Sequence, residues 1–158
     1  MSIAVVLTTA MLFSCTNDAK EVRDFLADKN LPITEARNIS HVRTDSGRVD
    51  IRMKAPLMRD FGNRKDHPYS DFPEGLKITS IDKKGDSVTI EGDYAISFTK
   101  TGVSEIRENV TIFNHSNKNR LETSQLFWDK QTGMFFTERN FILYTPTDTV
   151  PGRGFESD

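Results

Sequence analysis

The chain has very little cysteine. Cys15 is the single one in 158 residues, so neither an intramolecular disulfide nor a multi-cysteine metal site can form. Histidine is nearly as scarce: His41, His67 and His115 stand far apart, and none has a His-x-x-x-His ligand spacing. Asp66 and Asp71 flank His67, but they belong to a charged stretch that water solvates, with no activated serine or glycine-rich phosphate loop nearby. The residues thus give no basis for an enzyme, a cofactor or a bound metal. An excess of one charge is also missing. With 23 acidic and 21 basic side chains, and lysines scattered through turns, no field gathers nucleic acid. Leu and Ala are few, 16 together against 47 Val, Ile, Thr and Phe, a balance that favours strands. Past the first fourteen residues only about a third of the chain is apolar, lean for a closed globule. The length suits one domain.

The only long uncharged run is Ser2 to Phe13. As a helix it would rise about 18 Å, short of the roughly 30 Å hydrocarbon core of a bilayer. It ends in Leu12-Phe13-Ser14-Cys15, which resembles the cleavage site of a lipoprotein signal peptide, although no Lys or Arg precedes the run. The resemblance implies a leader at residues 1–14, lipid on Cys15, and a tether at 15–34. The protein is then expected on the periplasmic face of the cell envelope, anchored by lipid, with the inner membrane favoured. Within the tether, Val22, Phe25 and Leu26 have near-helical spacing, enough for a short amphipathic turn in what is otherwise a spacer.

From residue 35 the chain is a series of short β-branched and aromatic runs punctuated by Gly, Asn and Asp, as in sequential hairpins. Eight strands are predicted, near 37–44, 48–55, 76–82, 87–99, 105–113, 120–129, 134–145 and 150–155. Each pairs with its neighbours in sequence. Pro56 is expected to end the second, and residues 57–75 to form a long loop. Period-2 alternation places Val88, Ile90, Gly92, Tyr94, Ile96 and Phe98 on one face of the fourth strand. A weak repeat relates residues 92–113 to 123–144 at an offset of 31, aligning Thr101-Gly102 with Thr132-Gly133 and Asn109 with Asn140.

Four segments carry a more specific resemblance: Glu122-Thr123-Ser124-Gln125-Leu126-Phe127-Trp128-Asp129, Ser46-Gly47 through Lys54-Ala55-Pro56, Phe72-Pro73-Glu74-Gly75-Leu76, and above all Gly152-Arg153-Gly154-Phe155-Glu156-Ser157-Asp158. Residues 38–158 resemble the LptC family, the periplasmic component of lipopolysaccharide export, in a variant where a lipobox precedes the domain. The resemblance implies an all-β, antiparallel β-jellyroll over residues 35–158, twisted into a boat-shaped open trough. The trough would accept lipopolysaccharide from an inner-membrane ABC transporter and pass it to a periplasmic bridge protein of the same fold, joined by edge-strand addition. It also implies further strand after the Gly-x-Gly-Phe-Glu-Ser-Asp segment, where this sequence ends. The candidate groove residues are Met53, Ile90, Ile96, Phe98, Val110, Ile112, Leu126, Trp128, Phe136, Phe141 and Leu143. An apolar lining is required because each methylene left in water costs about 0.8 kcal/mol. The alternative is an envelope lipoprotein acting as a β scaffold or adhesion module without lipid cargo.

Overall fold

The computed structural model describes residues 18–157. The expected leader and Cys15 lie outside the described residues, as does Asp158. Among the described residues one helix, α1 (Ala19–Asp28), precedes ten antiparallel strands: β1 (Thr34–Asp45), β2 (Arg48–Phe61), β3 (Tyr69–Phe72), β4 (Leu76–Ile81), β5 (Ser87–Gly92), β6 (Tyr94–Phe98), β7 (Val103–Asn114), β8 (Arg120–Asp129), β9 (Phe135–Tyr144) and β10 (Thr149–Ser157). All ten belong to one hydrogen-bonded sheet, an all-β, jellyroll-like architecture.

The ten strands reduce to eight columns. β4 pairs with the first half of β2 and β3 with its second half, so β3 and β4 run end to end. β5 and β6 likewise share β7 between them. Column by column the topology is a meander, neighbour beside neighbour, from β1 to β10.

At mid-length every column is interrupted. The β1–β2 ladder skips Asn38 and Pro56, and Asn38 has φ 52°. Gly75 (φ 91°) separates β3 from β4, and Asp93 separates β5 from β6. Glu108 and Asn109 take positive φ where the β7–β8 register shifts, and further shifts follow between Thr123 and Phe127 and between Arg153 and Phe155. Aligned bulges bend a sheet about a common line. The meander is therefore creased into two walls, with wall A holding β4 and β5 and wall B holding β3 and β6. Two glycines permit the close approach. A Cβ on Gly75 would lie 2.9 Å from the carbonyl oxygen of Gly92, and one on Gly92 would lie 2.4 Å from Ile106 Cγ2.

Residues of both walls fill the space between: Ala55, Leu76, Ile78, Ile90 and Val110 from wall A, and Phe72, Ala95, Ile106 and Leu126 from wall B. Ile106, Val110 and Leu126 are 1%, 1% and 0% exposed.

The structure corrects the sequence reading at three places. The expected loop at 57–75 contains the end of β2 and all of β3. β2 continues through Pro56 because the ladder is already interrupted there, so the missing N–H breaks no pairing. The single strand at 87–99 is two strands. Where a spacer with a short amphipathic turn is expected, the chain forms the full ten-residue α1, whose N-terminus is capped by the Asp18 carboxylate accepting from Lys20 N–H at 2.9 Å. Its other end is fixed by Arg64, which donates to the Ala27 carbonyl at 3.0 Å and to Asn30 Oδ1 at 2.8 Å. The repeat corresponds to two successive hairpins, β6–β7 and β8–β9. Gly102 and Gly133 supply the positive φ at their turns (74° and 80°).

Candidate functional site

The interior face can be followed across the whole meander by register. On wall A it runs through Ile39, Met53, Ile78, Ile90, Ile112, Leu121, Leu143 and Val150. On wall B, Phe72, Ala95, Ile106, Leu126, Trp128, Phe135 and Phe155 do the same. The two walls meet at the β9–β10 end through Phe141 and Phe155, whose rings lie edge to face at 5.9 Å. Gly152 lies under the Phe141 ring, where a Cβ would come within 2.4 Å of it.

This face is sealed in the middle and opens toward its margins. Ile90, Val110 and Leu126 are buried. Met53, Ile112 and Trp128 are half-buried against the same core, and Phe141 and Leu143 are half-buried near the margin. Beyond them Val150 is 43% exposed. Each margin ends in a strand with one partner among the described residues, β1 on one side and β10 on the other.

Three of the eleven candidates stand on the outer face instead. Ala95 and Ile106 are paired and buried, so Ile96 and Phe98, which alternate with Ala95, point away from the interior. The physical reason is the break at Asp93. Inward positions step by three, from Gly92 to Ala95, and an odd step exchanges the faces of everything that follows. Phe136 is paired with Phe127 and stacked on it at 5.2 Å, on the side opposite Leu126 and Phe135. The crease was the missing information. Its local signs in the sequence are the Pro, Gly, Asn, Asp and Glu residues that occupy it.

The outer face of wall B bears charge, and Asp71, expected in a water-solvated stretch, is buried there instead because Arg59 pairs with it. Arg59 grips the buried Asp71 with two hydrogen bonds, 2.9 and 2.7 Å. Arg107 holds the buried Glu105, its Nε donating to Oε1 at 2.6 Å, and Gln125 donates to the same carboxylate. These bonds, Arg107 first, hold the Glu105 carboxyl below the usual carboxylate range. Tyr94, under the Arg107 guanidinium at 5.6 Å, has its phenol pushed up by burial. Two clefts of about 620 and 470 Å³ lie along the crease, the first bordered by Lys54, Glu74 and Asp93 and the second by Val110, Glu122, Asn140 and Phe141. Among the described residues no group of three or more His, Cys, Asp or Glu is placed to hold a metal ion. Nor is any helix there long and apolar enough to cross a membrane.

The architecture thus defines a creased β-meander of the jellyroll type, with an apolar interior that reaches the surface at its margins. A family profile described as Lipopolysaccharide-assembly, LptC-related matches residues 3–158, and the chain belongs to that family. The family works in lipopolysaccharide transport at the cell envelope and is a transport component rather than an enzyme family. No curated protein matches the chain.

Proposed function

We propose that the protein is a periplasmic carrier that takes lipopolysaccharide from the inner-membrane ABC transporter and hands it to a bridge protein of the same fold. The observation that supports this reading is the apolar inner face, which crosses all eight columns and emerges at the β9–β10 margin. An amphiphile with several acyl chains needs such a lining to leave a membrane, since its hydrocarbon would otherwise face water. The eight inward candidates, Met53, Ile90, Val110, Ile112, Leu126, Trp128, Phe141 and Leu143, form the lining, with Phe141, Leu143 and Trp128 first in reach. Ile90, Val110 and Leu126 meet cargo only when the walls part. The outer edges of β1 and β10, each of which has one strand partner among the described residues, are templates for strand addition, one toward the transporter and one toward the bridge. Lipid on Cys15 holds the carrier at the membrane.

Site-specific photocrosslinking tests the lining. A photoreactive side chain at Phe141 or Leu143 should capture lipopolysaccharide in cells, and one at Ile96 or Phe136 should not. Equal capture at all four positions, or none at any, would sink the assignment. Radiolabelled palmitate should mark the wild type and be absent from Cys15→Ala; label retained in that variant refutes the anchor.

The filled centre favours a second reading, a β scaffold without cargo. Depletion separates the two: lipopolysaccharide accumulating at the inner membrane supports the carrier, and normal surface lipopolysaccharide supports the scaffold.

A further inference from the structure

At the tip of wall B, on its inner face, hydrogen-bond donors outnumber the acceptors they meet. Ser97 and Ser104 are paired across β6 and β7. Their strands bury Ala95 and Ile106, two residues away in each case, so both serines face inward. Ser104 donates to Ser97 Oγ at 3.1 Å, and the Lys130 ammonium, in the turn after β8, donates to the same oxygen at 2.7 Å. Ser97 Oγ therefore accepts twice. Among the described residues its own hydroxyl proton and the two remaining N–H groups of Lys130 find no acceptor. Nor does any described Asp or Glu form an ion pair with Lys130. Although the Lys130 residue as a whole is exposed, burial lowers the pKa of its amine, as expected of an ammonium partly desolvated without a counter-charge.

The floor beside these donors is aromatic. Lys130 Nζ lies 5.7 Å from the Trp128 ring centre, and Trp128 is stacked on Phe135 at 5.6 Å with 10° between the planes. Both rings pack against the buried core and lead into the interior. Three open donors suit the terminal oxygens of a phosphate monoester, and the stacked rings suit a hydrocarbon chain attached to it. We propose that Lys130, Ser97 and the Trp128–Phe135 pair form a headgroup site for a phosphorylated amphiphile, with the phosphate on the donors and the acyl chain passing over the indole into the interior. This rests on the carrier reading above and adds the chemistry by which the cargo is oriented at the rim.

Trp128 is the only tryptophan of the chain, so its fluorescence reports occupancy directly. The full-length protein is titrated, below micelle formation, with dodecyl phosphate, neutral dodecyl maltoside and inorganic phosphate. Dodecyl phosphate should bind about tenfold more tightly than the maltoside, as one charge-assisted contact allows. Lys130→Gln should lose that preference while still binding the maltoside, and Lys130→Arg should keep most of it. Ser97→Ala should weaken dodecyl phosphate by a smaller factor, and added salt should weaken it in the wild type. If wild type binds both amphiphiles equally, or Lys130→Gln keeps the preference, the headgroup site is wrong and the carrier reading stands. If neither amphiphile binds, the carrier reading itself fails. If inorganic phosphate alone gives the same response at the same concentration, the site is one for free anions and the proposal is overturned.

Discussion

The middle of the trough and its β9–β10 end are made of the same kinds of residue but packed to different degrees. In the middle, Ile106, Val110 and Leu126 are enclosed by both walls, with neighbouring strands on either side. At the end, Phe135, Phe141 and Phe155 are half-buried, and β10 has a partner on one edge. Enclosure makes a side chain structural, because removing it leaves a cavity. Partial exposure leaves the same chemistry free to exchange water for a ligand at little cost to the fold. The difference separates residues that hold the walls together from residues that can receive something between them.

The comparison breaks most visibly at Leu126. Leu126→Ala should lower stability by about 2–5 kcal/mol, the range for truncating an enclosed leucine. It would be read as a lower urea midpoint at unchanged slope. Gly92→Ala should follow at about 1–3 kcal/mol, because its Cβ would collide with Ile106 and the crease would have to open. At the other end Phe141→Ala should cost less, about 1–2 kcal/mol, since the ring is only partly enclosed, yet it should reduce crosslinking of lipopolysaccharide to a probe at Leu143. If Phe141→Ala unfolds the protein as readily as Leu126→Ala, the two regions are one core.

The smallest effect concerns the outer face of wall B. The folded protein holds Glu105 below its ordinary pKa, chiefly through Arg107, so the unfolded chain binds its proton first as pH falls. The stability this confers is fully present above about pH 4.5 and is lost on further acidification through the folded value. Arg107 is about half exposed, so screening keeps the contribution small. Glu105→Gln should flatten the fall of thermal midpoint below pH 4.5, and an unchanged slope would mean that other carboxylates carry the acid sensitivity.

Much of this architecture was legible beforehand. The alternation in 48–55 and 105–113 located β2 and β7, and the Thr-Gly pairs at 101–102 and 132–133 located two turns. The neighbour-to-neighbour order survives column by column. The unread parts depend on distant partners. β3 is four residues long and holds its place by pairing with β2 and β6, so no local period announces it. Ile96, Phe98 and Phe136 lie on the face opposite to the one that alternation predicts, because alternation is blind to a crease. Lys130 drew no notice in a turn rich in polar residues until folding carried Ser97 and Trp128 beside it.

By itself the sequence determined the strand-forming chemistry, the order of the hairpins and the scarcity of catalytic groups, all of which follow from residue type and nearest-neighbour spacing. Only the tertiary structure decided which apolar residues face one another across the crease, which stay exposed at the β10 margin, and which donors meet at the rim. Those outcomes are set by where every column bends at once, through contacts between residues remote in the chain.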